Sequence, residues 1–370
     1  MKLQFAAIMI FSLLPCIPLF AQSFDAQGSD LLMGVGAKNI AVAGAKSAGT
    51  NDIYAVFYNP AGLSELSSHQ LAVSSQADAK LGHLNFLGFA YVNEFESLDL
   101  KMVLAFTFNP RLYMKASGEF REKDFESIFL RYTLPGLSAN FDGAIDSKTD
   151  DYRIAMAISP LYNPLWSFGV SIGYVNCATT FGGVSLEDPS NFTSMSTVAT
   201  TVSLGLGAKY YASDALTFGI NLKNLDSKLT VKVEKIDSNG ETHRDYEVDV
   251  PYDFSAGLHF VYDEDIDLAA DYQQIFGSYG SYTLDFKLLR FGASIHDGAL
   301  DYHLGFIAPI TLQSDKIESF ELPFPISPTA GIGWHNNNID ISLALYIHPV
   351  MSLNLGKPSP SLDLSASYNF

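Results

Sequence analysis

Period-two alternation of apolar and polar residues runs through most of this chain. In "LDLKMVLAFTF", Leu98, Leu100, Met102, Leu104, Phe106 and Phe108 share one face, while Asp99, Lys101 and Thr107 share the other. "WSFGVSIGY" repeats the pattern more sharply: Trp166, Phe168, Val170, Ile172 and Tyr174 alternate with Ser167, Gly169, Ser171 and Gly173. Its two ends are aromatic, so Trp166 and Tyr174 are expected near opposite membrane interfaces. Continued along the sequence, the alternation predicts strands near 69–76, 84–92, 97–108, 152–159, 165–174, 201–210 and 215–223, then 253–262, 265–273, 287–296, 300–308, 326–335, 338–347 and 360–370. That is about 14 strands, an even number, as single-chain outer-membrane barrels have.

The connections carry a second pattern. Those after every even strand are brief, as at Tyr211 to Asp214, Asp263 to Glu264 and Asp297 to Ala299. The others include long ones: Asn109 to Asp151, Val175 to Thr200, Asn224 to Tyr252 and Pro309 to Pro325. Short turns on one rim and long loops on the other describe a membrane barrel, and a soluble sandwich has no reason to sort its loops this way. The connection Asn224 to Tyr252 holds a hairpin of its own, "KLTVKVEKI" and "RDYEVDV" around the turn signal Asn239-Gly240. It reads as an extension beyond the rim, and counting it as wall gives about 16 strands.

Composition narrows the class. The opening "MKLQFAAIMIFSLLPCIPLFAQ" has one basic residue, Lys2, and an apolar run Phe5 to Phe20 interrupted by Pro15 and Pro18, which reads as a signal peptide over 1–21. Lipidation at Cys16 is the alternative, poorly served by Pro15 before it. With that segment removed only Cys177 remains, which excludes an internal disulfide framework. Charged residues are 17% of the chain and aromatics 13%, an unusually greasy balance for a soluble exported domain. A net charge of -18 argues against nucleic acid as a partner, since phosphate contacts need clustered Lys and Arg.

Residues 22–68 break the pattern. They are rich in Gly and Ala, suited to filling a lumen rather than forming a wall, and contain "DIYAVFYNPAGLSEL". The stretch "GAKNIAVAGAKSAGTNDIYAVFYNPAGL" resembles the N-terminal segment of FadL-like outer-membrane hydrophobic-compound transporters, on Gly36-Ala37, Gly44-Ala45, Asp52, Ala55, Phe57, Asn59, Pro60, Ala61 and Gly62. The family includes long-chain fatty acid transporters, aromatic-hydrocarbon channels and PorV-type relatives. The resemblance implies an all-β chain: a transmembrane antiparallel β-barrel of about 14 strands over 69–370, plugged by an N-terminal hatch over 22–68 that contains Asn59, Pro60, Ala61 and Gly62. It implies diffusive uptake of hydrophobic small molecules across the cell outer membrane, with long-chain fatty acids among them. The alternative it leaves open is a scaffold barrel that escorts secreted proteins, as in the PorV-type relatives. The final "SLDLSASYNF" resembles the terminal strand that such barrels present to their assembly machinery, through Tyr368 and Phe370, with Ser365 where glycine is common.

There is no H-E-x-x-H or C-x-x-C, and the G-x-S-x-G spacing at Gly169, Ser171 and Gly173 falls inside the alternating stretch "WSFGVSIGY", so neither enzyme, metal nor cofactor is expected. "YDEDIDLAAD" lacks the glycine and terminal Glu of a calcium loop and reads as a solvated turn. If apolar faces meet lipid, Lys101, Arg153, Lys223 and Arg290 point inward, as do Asp99 and Asp301. Lys101 and Arg153 are then candidates to pair with a substrate carboxylate, against the plainer role of pairing lumen acids or hatch backbone. The apolar connection Asn109 to Asp151 includes "FESIFLRYTL", with the spacing of a short amphipathic helix. Phe125 and Phe129 within it are candidates to capture an apolar ligand, or to fold over the barrel mouth as a lid.

Overall fold

The computed structural model describes residues 24–27, 33–77, 82–120, 141–162, 164–188, 190–279, 282–314, 326–348, 352 and 358–370. The signal-peptide reading, Phe125, Phe129 and the expected helix around them lie outside these residues. Among the described residues, seventeen strands form one sheet. They are β1 (Phe24–Gln27), β2 (Gln70–Ala77), β3 (Gly82–Phe95), β4 (Leu100–Phe120), β5 (Phe141–Pro160), β6 (Trp166–Ser185), β7 (Phe192–Ser213) and β8 (Leu216–Lys223). There follow β9 (Lys228–Asp237), β10 (Gly240–Asp249), β11 (Tyr252–Asp263), β12 (Ile266–Tyr279), β13 (Tyr282–Asp297), β14 (Leu300–Ser314), β15 (Ser327–His335), β16 (Ile339–Ile347) and β17 (Pro360–Asn369).

Neighbours in sequence pair antiparallel from β2 to β8, β8 pairs directly with β11, and the run continues to β17. Pairing of β17 with β2, from Leu362↔Ala77 to Asn369↔Gln70, closes the ring at 14 strands. All fourteen correspond to strands expected from alternation. Closure removes the free edges that an open sheet would expose. The β9–β10 hairpin is not part of that ring: β9 pairs with the far end of β7, so the alternative of about 16 wall strands does not hold.

Alternation is written into the wall. Along β6, Trp166, Phe168, Val170, Ile172 and Tyr174 are exposed on the outer surface while Ser167, Gly169, Ser171 and Gly173 are buried. Trp166 stands at the short-turn end, its ring packed at a tilt against Tyr210 with 4.5 Å between ring centroids. Tyr174 follows eight residues later on the same face, about 26 Å along the strand, which after strand tilt matches an apolar band for hydrocarbon.

Most of the connections expected to be long loops are instead strand. β4 and β5 stay paired out to Phe120↔Phe141, and β6 and β7 out to Val184↔Phe192. The outer face there carries polar pairs, such as Lys115 opposite Asp146 with 3.2 Å between charges. Backbone pairing therefore continues where the apolar alternation that reveals it has stopped.

Inside the ring, the N-terminal segment packs against inward-facing wall positions. Val35, Ala37, Ile40, Ala41, Ile53, Ala55 and Leu63 are fully buried. Its backbone forms only short helices, α1 (Ala37–Ala41) and α2 (Ala55–Tyr58), and a 3-10 turn Pro60–Glu65. Buried peptide groups need partners, and wall side chains supply them. Asp271 accepts from Ser47 N (2.8 Å), Gln70 from Ile53 N (2.7 Å) and Ser365 from Ala37 N (3.2 Å). Arg290 donates to Ala43 O (2.7 Å), Thr329 to Ala41 O (2.8 Å) and Lys209 to Thr50 O (3.0 Å).

Candidate functional site

Asn59 to Gly62 lie at the centre of this packing. Helix α2 stops at Tyr58, Asn59 turns extended (φ -155, ψ 106), and Pro60 opens the 3-10 turn where its missing N–H costs nothing. Asn59 Oδ1 accepts from Ala61 N (3.1 Å), and Nδ2 donates to Ser47 O (2.6 Å) and to wall residue Ala208 O (3.2 Å). The wall approaches so closely that only glycine fits: a methyl on Gly207 would stand 2.0 Å from Asn59 Oδ1, and one on Gly169 2.3 Å from Ala61 N. The motif is thus both a helix stop and a tight contact between segment and barrel, as is Ser47, whose O a methyl on Gly219 would meet at 2.0 Å. Nearby, burial pushes the Lys46 ammonium down to about 8, aided by Lys38, and burial pushes the Asp52 carboxyl up.

Phe57, just before the motif, faces a charged patch. Lys223 Nζ lies 4.7 Å from its ring centroid and the Arg111 guanidinium 5.9 Å. Lys223 pairs with Asp253 (3.3 Å). Arg153 places Nε and Nη2 on one oxygen of Asp151, both at 2.9 Å, and Arg111 reaches the same oxygen at 3.7 Å. Arg153 is 7% exposed, and its Nη1 has no hydrogen-bond partner among the described residues.

Beside this patch the wall changes its pairing. Pairing of β3 with β4 ends at Leu87↔Phe108, although both strands continue. Two local features account for it. Asn85 is an extra residue in β3, where Ser74 pairs with Phe86 but Ser75 with Leu84, and such a bulge bends its strand. Pro110 in β4 has no N–H to offer a neighbour, and proline within a sheet belongs on an edge. On the outer surface over the last β3–β4 pairs lies a concavity of about 620 Å3 lined by Leu87, Phe89, Phe106, Phe108, Tyr152 and Ile154 among others, with Thr107 and Arg153 of the inner face also in its lining. A cavity of about 380 Å3 at the short-turn rim is lined instead by polar groups including Lys38, Asp52, Glu65 and Asp340, which suits water better than hydrocarbon.

The remaining sequence candidates are dispersed. Lys101 is half-buried opposite Ser159, six residues from the Thr107↔Arg153 pair, about 20 Å along the strand, so it does not join Arg153. Arg290 is spent on Gln273 and Ala43 O, the plainer role considered for it, and Asp301 is held by His296 (2.5 Å) and His335 (3.3 Å). Asp99 does not point inward. It is an exposed turn residue with φ 47, just before β4 begins, and its carboxylate accepts from Leu161 N (3.1 Å) and Tyr162 N (2.8 Å). Tyr368 and Phe370 stack at 5.8 Å and are exposed on the outer surface. Arg111, Asp151 and Asp253 were not singled out by sequence; Pro110 inside "FTFNPRLYM" was the available signal for the broken seam.

No protein-family model matches the sequence, and no curated protein matches it. Solved structures do. The Pseudomonas putida toluene transporter TodX superposes with a TM-score of 0.56 at 15% identity, covering 92% of this chain and 99% of that one. The Ralstonia pickettii toluene transporter TbuX gives 0.60 at 13% identity over 91% and 98%. A Pseudomonas aeruginosa FadL homologue gives 0.58 at 12% over 92% and 98%. This is the FadL-type barrel fold. At such identities the likeness concerns architecture, and the lining of this FadL-type barrel is its own.

Proposed function

We propose that the chain is an outer-membrane barrel for diffusive uptake of hydrophobic small molecules, which leave the lumen sideways through the β3–β4 seam. The observation that carries this reading is the end of pairing at Leu87↔Phe108 beneath an apolar concavity, with a charged lumen patch immediately inside. A hydrocarbon released there enters lipid without crossing water, at a gain of about 0.8 kcal/mol per CH2 kept buried. The N-terminal segment serves as the hatch that keeps the straight path shut, which its many wall hydrogen bonds support. Residues 121–140, with Phe125 and Phe129, are the proposed first contact for the ligand, and Tyr368 and Phe370 the assembly signal.

Within this class we favour a long acyl chain bearing a carboxylate. Arg153 offers a buried, unspent N–H beside the apolar seam, whereas toluene, the cargo of the TodX and TbuX transporters, has no acceptor for it. Uptake of labelled hexadecanoate and of toluene by cells with and without the barrel tests both levels. Arg153→Met is expected to lower hexadecanoate uptake about tenfold and to leave toluene unchanged, since charge-assisted pairing is worth roughly 1.5–3 kcal/mol. No uptake of either above a barrel-free control overturns the transport reading.

A further inference from the structure

Between α1 and α2 the N-terminal segment has a cavity on each side. Toward the short-turn rim lies one of about 120 Å3, lined by Lys46, Ala48, Gly49, Asp267, Ser294 and His296 among others. On the lumen side lies one of about 20 Å3, room for about one water, lined by Gly44, Ser47, Lys223, Asp271, Gln273 and Arg290 among others. The wall shows how little separates them. Along β12, Ala269 borders the first cavity and Asp271 the second; along β13, Gly292 borders the first and Arg290 the second. That is one inward-facing step on each strand, about 7 Å, little more than the thickness of one backbone.

Asp271 and Arg290 stand opposite each other in register, and both hold this partition. Asp271 Oδ2 accepts from Ser47 N (2.8 Å), and Arg290 Nη1 donates to Ala43 O (2.7 Å). Ala43 and Gly44 both take left-handed φ, 59 and 67, a conformation that costs an alanine and persists where its surroundings impose it. Beyond the partition the segment is fixed more firmly: Ser47 O accepts from Asn59 Nδ2 (2.6 Å) and sits close over Gly219.

We propose that residues 43–47 are a diaphragm for small hydrophilic solutes, which opens as the chain draws away from Asp271 and Arg290 and joins the two cavities into one aqueous path. The path would be bordered by charges of both signs, Lys46, Lys223 and Arg290 against Asp267 and Asp271, so small ions and neutral polar solutes fit it and hydrocarbon does not. Opening also lets the left-handed turn at Ala43 relax. This second route is independent of the side exit, which serves solutes that prefer lipid.

The test is ion conductance of the purified full chain in planar lipid bilayers, with folded barrel checked by heat-modifiable gel mobility. The parent is expected to show brief openings of small conductance. Asp271→Ala and, separately, Arg290→Met are expected to raise the mean current at least fivefold, and either alone suffices if the other does not fold. Thr329→Val is the control: it removes a comparable bond, to Ala41 O, where the segment is backed by Ile40, Leu288, Ile307 and Tyr346, and it should conduct like the parent. With Cys177 replaced by serine, Thr217→Cys added to Asp271→Ala places a thiol at the rim cavity, and a charged thiol reagent should then cut the current at least twofold. A parent that never opens, unchanged current in the folded latch variants, an equal rise in Thr329→Val, or a current that the reagent leaves untouched overturns the diaphragm.

Discussion

Two wall strands exchange one neighbour for another partway along, and they do so with opposite results. On β7, β8 covers Gly205 to Ser213 and β9 takes over from Thr201 to Thr193. Only Val202 to Leu204 fall between, and that interval is stitched: Leu225 N donates to Leu204 O (3.2 Å), Ser203 Oγ to Asn224 Oδ1 (2.8 Å), and Asn224 Nδ2 to Pro251 O (2.9 Å). Asn224 and Asp226 take left-handed φ values of 60 and 47, which these residue types tolerate, and so turn the chain sharply enough to keep contact. On β4, described pairing with β3 ends at Phe108 and with β1 covers Tyr113 to Ala116, and near the change proline removes a donor and the Asn85 bulge bends β3 aside. A change of neighbour therefore does not by itself open a wall. The side exit proposed on β4 rests instead on particular residues, Pro110 and the Asn85 bulge, at the point where its pairing with β3 ends.

The largest expected effect follows from erasing that difference. Pro110→Val with Asn85 deleted gives β4 a donor and β3 an unbroken register, so the two strands can pair past Phe108 as β7 and β9 do. Hexadecanoate uptake is expected to fall at least tenfold while heat-modifiable mobility still reports a folded barrel. Parent-level uptake from an equal amount of folded variant would show that solute leaves elsewhere.

Next comes the close approach of wall and N-terminal segment, which lies nearer the sealed side. A valine at Gly207 must stand where Asn59 Oδ1 and Pro60 Cδ now are, the first at 2.0 Å from its Cβ. Overpacking of this kind costs about 1–3 kcal/mol, and the loosely helical segment gives way before the hydrogen-bonded wall does. Gly207→Val should make residues 33–68 sensitive to protease and let small polar solutes leak through the barrel. A variant as tight and as resistant as the parent would mean that the segment does not close the lumen.

The sequence disclosed these two regions unequally. Wall strands were legible because lipid on one side and packed lumen on the other force a strict alternation, as in Trp166 to Tyr174. The Asn-Pro-Ala-Gly motif was legible by resemblance, and the glycines that receive it sat in plain alternation as Gly169 opposite the aromatics. The opening was less so. In "HLNFL", Leu84 and Leu87 are both exposed with two buried residues between them, a slip from period two that marks the Asn85 bulge. A strand reading that begins at 84 overlooks it. Pro110 lies just past the strand expected at 97–108, in what was expected to be a connection, whereas in the structure β4 runs through it to Phe120. The charge set around Arg153 could not be assembled from sequence because Asp151, Arg111, Lys223 and Asp253 arrive from four strands whose register only the closed ring fixes.

A smaller effect is expected at Asn59 itself. Replacement by alanine removes the donor to Ser47 O and Ala208 O and the acceptor for Ala61 N, leaving buried groups unpaired at about 1–3 kcal/mol. Because Gly169 and Gly207 leave the fit otherwise intact, Asn59→Ala should loosen the segment less than Gly207→Val does. Protease sensitivity ranked the other way would shift the weight from shape to hydrogen bonding.

The smallest effect belongs to the stitched handover on β7. Asn224→Ala loses two bonds, to Ser203 and Pro251, both at part-buried sites where water can replace a missing partner, so about 1 kcal/mol or less is at stake. The backbone bond from Leu225 N to Leu204 O does not depend on the side chain and still bridges the interval. No proline removes a donor there, and no bulge turns β8 away from β7 within it. Asn224→Ala should therefore leave hexadecanoate uptake at the parent value, with at most a small fall in the temperature at which the folded gel band disappears. If this variant instead gained hexadecanoate uptake, a side-chain stitch would be all that separates a sealed handover from an open one. The opening on β4 would then need no more explanation than a missing hydrogen bond.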